Sequence, residues 1–104
     1  MTEVTLAGYM ATHERAAAFG GSDGHAYSVG VFVEDEPDAR GLYAASLLFV
    51  RWSSAGDRPI GHVESAVLAR GRTPAEASER IGALSLFDVK AALDEAIARA
   101  PGEW

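Results

Sequence analysis

Apolar side chains recur at every second position from Tyr27 through Val29 and Val31 to Val33, the spacing of a strand with one buried face. Two longer apolar runs follow, about Leu42–Trp52 and Ile60–Arg70, in which apolar residues occupy both alternations. Between the runs, Asp35–Arg40 with Pro37 and Ser53–Pro59 with Gly56-Asp57 carry the residue types that favour turns. Connections this short predict an antiparallel meander within residues 25–71, its strands near Ala26–Glu34, Leu42–Trp52 and Ile60–Arg70.

After Gly71 the period changes. Thr73-Pro74-Ala75-Glu76 places a capping Thr before Pro at the first helical position and Glu three residues after the cap, which predicts a helix to about Gly82. Ser85 with Asp88 forms a second cap. Beyond it Leu86, Val89, Leu93 and Ile97 make one apolar stripe to about Ala100, where Pro101-Gly102 stops the helix. These segments form a helical pair over residues 73–100. Ahead of the meander, Leu6, Tyr9, Met10, His13 and Ala17 sit at helical spacing, although Val4 and Leu6 flanking Thr5 also fit a short strand. Residues 1–19 are read as a helix ending at the Gly20-Gly21-Ser22-Asp23-Gly24 turn. The expected fold is one α+β domain over residues 1–104. It has a three- or four-stranded antiparallel β-meander with the two C-terminal helices packed on one face.

The meander has apolar residues on both sides, and this sets the functional expectation. Hairpin tips centred near Pro37 and near Ala55-Gly56 put Val31 across from Ala44 and Phe49 across from His62. Since side chains alternate, a slip of one residue exchanges the faces. In this register Tyr27, Val29, Val31, Val33, Leu42, Ala44, Leu48, Val50, Trp52, Val63 and Val67 form the seat for the helices. The second face carries Phe32, Tyr43, Leu47, Phe49, Ile60, His62, Ala66 and Leu68, with Glu34, Arg51 and Glu64 among them. Such a patch exceeds what monomers leave open. Its expected cover is the N-terminal segment, a second copy of the chain, or a ligand or another protein.

Composition narrows the classes. The 104 residues hold 48% hydrophobic residues, enough for a core without staples. With no cysteine, a disulfide framework, thiolate catalysis and cysteine zinc sites are excluded. No leader-like segment or apolar run of about 20 residues is seen, so a soluble, cytoplasmic protein is expected. The formal net charge of −6 opposes general nucleic-acid binding, which depends on cations. The charges are nonetheless uneven. Asp23, Glu34, Asp35, Glu36 and Asp38 cluster before Arg40, whereas arginines dominate from Arg40 to Arg72, an asymmetry able to orient one subunit on another.

No motif specifies a chemistry, and none calls for a cofactor or metal. His62 and Glu64 share one strand face, and with His25, or with His13-Glu14, they suggest a small-ligand or metal-dependent enzyme as the alternative reading. Nothing local supplies a third ligand. The Gly20–Gly24 turn lacks the Lys and Ser/Thr of a phosphate loop, and Glu34-Asp35-Glu36 lacks the glycine and spacing of a calcium loop. No Gly-x-Ser-x-Gly or His-Glu-x-x-His occurs.

With a helix in residues 1–19, the order helix, three strands, helix resembles the double-stranded RNA-binding domain. The resemblance is topological and implies RNA as a partner. That family presents lysines at the start of its last helix, where this chain has Pro74-Ala75-Glu76 and Glu79, and Arg70 and Arg72 do not replace the missing row of cations. Trp52 suggests a base-stacking platform, but the chosen register makes it a core residue beneath the helices.

The sequence thus points to an interaction or regulatory domain, non-enzymatic and acting through the second sheet face, as a homodimer or with another protein. Its expected interface is Phe32, Tyr43, Leu47, Phe49 and Arg51, with His62 and Glu64 fixing register.

Overall fold

The computed structural model describes residues 4–13 and 18–100. They form α1 (Leu6–His13), β1 (Ala18–Gly20), β2 (Ala26–Val33), β3 (Tyr43–Trp52), β4 (Pro59–Glu64), β5 (Ala69–Gly71), α2 (Pro74–Gly82) and α3 (Leu86–Arg99). The expected Pro101-Gly102 stop, and Glu14 and Ala17 of the N-terminal segment, lie outside the described residues. The fold is α+β. An antiparallel sheet in the order β1-β2-β3-β4, with β5 also on β3, carries the two C-terminal helices on one face.

Both helix starts follow from their caps. Thr73 Oγ1 accepts the Glu76 amide at 3.0 Å, and Glu76 Oε1 reaches back to the Arg72 amide at 3.1 Å. Ser85 Oγ accepts the Asp88 amide at 3.0 Å. These side chains satisfy amides that the first helical turn leaves without intrahelical acceptors.

The expected register is corrected at both hairpins. In the first, Asp38 rather than Pro37 makes the tip: its Oδ1 accepts the amides of Arg40 (2.8 Å) and Leu42 (3.0 Å), and Gly41 takes a positive φ of 80°. Donation from the Leu42 amide, then the Arg40 amide, with further help from Arg70 and Arg40, holds the Asp38 carboxyl below its ordinary pKa. This Asx-type turn shifts the pairing, so Val31 faces Leu47 rather than Ala44. In the second hairpin Trp52 pairs with Pro59, as the tip near Gly56 requires, but an irregularity beside Arg51 and Trp52 inserts Ile60. Beyond that bulge Phe49 faces Val63 rather than His62.

The two shifts turn over β3 alone. Tyr27, Val29, Ala45, Leu47, Phe49 and Val63 lie beneath the helices and are buried with Ala77, Ile81, Val89, Leu93 and Ala96. Leu47 and Phe49, expected on the second face, are core residues. Tyr43 joins the core side with them, packed against the cluster. Leu48, Val50 and Trp52, expected under the helices, occupy the opposite face with Phe32, His62 and Glu64.

The expected third strand is split. Residues 65–68 form a detour between β4 and β5, and both flanking strands pair with β3. Leu47 donates its amide to Ser65 Oγ at 2.9 Å, so a side-chain hydroxyl fills a ladder position that a carbonyl would take in a regular strand. The detour adds an even number of residues and leaves the faces in phase.

The N-terminal segment does not cover the second face with its described part. The Leu6 amide donates to the Leu84 carbonyl at 2.8 Å, and the Leu86 amide to the Val4 carbonyl at 2.9 Å, so the chain entering α1 lies along the α2–α3 connection. Leu6 is buried in the same core as the C-terminal helices. A short added strand, β1, pairs Phe19 with Tyr27 at the edge of β2.

Candidate functional site

The candidate surface is the sheet face away from the helices. Its middle is apolar, because Leu48 and Val50 project from the central strand and Phe32 rises from β2. Phe32 is 49% exposed, and Ile60 at the bulge is 40% exposed. Trp52 lies diagonally across β2, and its Nε1 donates to Ser28 Oγ at 3.0 Å. That bond fixes the indole against the sheet with one edge satisfied, the arrangement expected of an amphipathic aromatic at a surface.

The strand pairings arrange the face in levels. At the level of Ala44, Arg70 flanks one side and Glu34 the other, with the Glu34 amide still donating to the Ala44 carbonyl at 2.9 Å. At Leu48 the flanking residues are Gly30 and Glu64. At Val50 they are Ser28 and His62. At the last two levels the β2 flank therefore holds small residues where the β4 flank holds large polar ones.

A separate polar cluster closes the end of the sheet on the helix side. The buried Tyr27 hydroxyl donates to Asp23 Oδ2 at 2.6 Å, and the His25 amide donates to Asp23 Oδ1 at 3.1 Å. Arg51, paired across from Tyr27, brings its Nε within 3.7 Å of Asp23 Oδ2. One terminal guanidinium nitrogen of Arg51 lies 3.1 Å from both ring nitrogens of His25. Equal distance to both places it over the ring, because an in-plane approach would run into Cε1. The contact sets a guanidinium nitrogen against the face of the imidazole. The turn also reaches α3, since the Ser22 amide donates to Asp94 Oδ1 at 3.1 Å.

The electrostatics of this cluster drive its two acids apart. Burial disfavours the Asp23 carboxylate, but the Tyr27 hydroxyl, the His25 amide and the charges of His25 and Arg51 outweigh it, so the carboxyl is held below its ordinary pKa. Burial, and then the bond to Asp23, push the Tyr27 phenol well above its ordinary value. The result is an ionised carboxylate gripped by a neutral phenol and a cation, an arrangement that ties the 21–25 turn to β2 and β3.

The expected site residues are therefore divided. Phe32, His62 and Glu64 are on the open face, whereas Tyr43, Leu47, Phe49 and Arg51 belong to the helix side. His25 lies with Arg51 and Asp23, so the structure does not bring it together with His62 and Glu64. Among the described residues no group of three or more His, Cys, Asp or Glu side chains is arranged to hold a metal ion. Leu48 and Val50 were missed as surface residues. The signal that finds them is the Asp38-Ala39-Arg40-Gly41 turn, which moves the hairpin tip and with it the phase of β3.

A shallow cleft of about 370 Å³ lies at that tip, lined by Asp38, Ala39, Arg40, Leu42 and Arg70. Arg70 Nε stands 3.8 Å from Asp38 Oδ2 across it, and Arg80 donates to the Arg70 carbonyl at 2.8 Å. The Arg70–Asp38 contact links β5 to the β2–β3 turn. No helix of the described residues is long and apolar enough to cross a membrane. Comparison with protein-family models, with curated proteins and with solved structures finds no match.

Proposed function

We propose that this chain is a protein-interaction domain whose working surface is the open face of the sheet, centred on Leu48, Val50, Trp52 and Phe32. One observation carries the reading: the three helices of the described residues pack on the other side, and no described element shelters this apolar face. Sheets apolar on both sides are found with both sides covered, because leaving apolar area in water forgoes about 25 cal/mol per Å². His62 and Glu64 stand at its rim, where polar residues set orientation more than affinity.

Side-chain oxidation footprinting tests this. Trp52 and Phe32 are expected to label several-fold less in an extract of source cells than in dilute purified protein. Phe87, 80% exposed on α3, is expected to label equally in both. Equal labelling of all three under both conditions would remove the open face as the working surface.

A further inference from the structure

We infer that the occupant of the open face is a second copy of this chain, packed face to face about a two-fold axis that runs along β3. The inference rests on the reading above and names the partner for the same surface.

Charge gives the first reason. Glu34 and Arg70 flank Ala44 on opposite sides of β3 and project to the open face. A two-fold axis along β3 exchanges the flanks of the two copies. Glu34 of each copy then comes opposite Arg70 of the other, twice over, as an isologous contact requires. An axis across the strands through Leu48 instead sets Glu34 on Ala26 and Arg70 on Pro59, which pairs no charge, and one through Ser46 sets Arg70 on Glu64 but leaves Glu34 on Gly30, so neither pairs both charges.

Size gives the second. The same operation lays Gly30 of one copy against Glu64 of the other, and Ser28 against His62. A Cβ added at Gly30 would meet only the Leu48 carbonyl, at 3.9 Å, so the space above this glycine is open and can receive a larger side chain. Leu48 and Val50 lie on the axis and meet their own counterparts, giving the contact an apolar centre and a charged margin.

Area gives the third. The ten residues of β3 make a face roughly 34 Å long and, over three strand spacings, roughly 14 Å wide. Two such faces bury on the order of 1,000 Å², about the least that a specific interface needs. An interface this small falls at the weak, reversible end of specific contacts.

Sedimentation equilibrium over a roughly hundredfold concentration range reads the proposal directly. The expected result is a reversible monomer–dimer equilibrium. Glu34→Arg and Arg70→Glu should each weaken it by about three- to tenfold, and combining them should restore it to within about twofold, because the exchanged charges still face each other. Arg70 also pairs with Asp38 in its own chain, so each variant is accompanied by a thermal melt. Val50→Asp, which sets two carboxylates on the axis, should abolish dimerisation while the circular dichroism stays unchanged. If Val50→Asp fails to fold, the charge exchange alone decides. A monomer at every concentration overturns the second copy as occupant, as does a dimer indifferent to all these changes. A monomer whose Trp52 and Phe32 are still protected in the extract overturns only this inference, whereas loss of that protection as well removes the interaction reading itself.

Discussion

The Tyr27 hydroxyl donates a 2.6 Å hydrogen bond to Asp23 Oδ2, joining a fully buried phenol on β2 to a turn four residues earlier. Because Arg51 and His25 gather on the same carboxylate, this bond anchors the turn to two strands. Tyr27→Phe removes the donor and leaves a partly desolvated carboxylate behind. The expected loss is about 1–2 kcal/mol, near the lower end for a charged partner because Asp23 keeps some contact with water. Urea denaturation measures it, and an unchanged midpoint would show that the bond contributes nothing net.

The same pair gives the protein a pH signature at both extremes. The Asp23 pKa is lowered in the folded state, so its contribution is complete above the ordinary carboxyl value of 3.8 and is lost as pH falls toward the lowered folded value. The Tyr27 pKa is raised, so its contribution is complete below the ordinary phenol value of 10.0 and is lost as pH climbs from there toward the folded value. Melting temperatures of wild type and Tyr27→Phe should therefore differ most between these limits and converge above pH 10. A constant difference across the alkaline range would contradict the linkage.

Neighbouring leucines on β3 test the register. Leu47 is fully buried and Leu48 is half-buried on the open face. Leu47→Ala should cost about 2–5 kcal/mol through lost burial and a cavity, whereas Leu48→Ala should cost under about 1.5 kcal/mol. Chemical denaturation of dilute protein, where association is negligible, makes the comparison. A reversed order would mean that β3 presents its other side to the helices.

Ser65→Ala probes the detour between β4 and β5. Without Ser65 Oγ, the Leu47 amide loses its acceptor inside the sheet, at a cost of about 1–3 kcal/mol. Hydrogen exchange should accelerate most at Leu47. Exchange unchanged at that amide would show that another group takes over the acceptor position.

Two strand glycines should answer the same substitution in opposite ways. A Cβ at Gly71 would collide with the Ala77 amide nitrogen and approach the Glu76 carbonyl carbon to 2.8 Å, both backbone atoms of α2 that cannot swing aside. Gly71→Ala should push α2 off β5 and cost about 1–3 kcal/mol. Gly30→Ala meets open space and should be neutral or stabilising by up to about 1 kcal/mol, since it removes chain entropy from the unfolded state. Paired thermal melts distinguish the sites.

The sequence by itself determined the fold class and the two C-terminal helices that follow the strands, but neither β1 nor the division of the last strand into β4 and β5. Thr73 and Ser85 cap α2 and α3 because their hydroxyls need only an amide three residues ahead, and that geometry is local. The alternation from Tyr27 to Val33 placed the buried face of β2 for the same reason. The surplus of apolar surface was also legible, since a strand with apolar residues on both alternations has an apolar side either way it is turned. Which side of β3 meets the helices was decided only in three dimensions. That phase depends on where the chain reverses, and the reversal is fixed by Asp38 accepting two amides and by one extra residue at Ile60. The cluster of Asp23, His25, Tyr27 and Arg51 was hidden for a related cause: Arg51 joins residues far from it along the chain only once β2 and β3 pair in register. Hydrophobic periodicity records how often a side chain faces the core, and only the turns set which side of each strand that is.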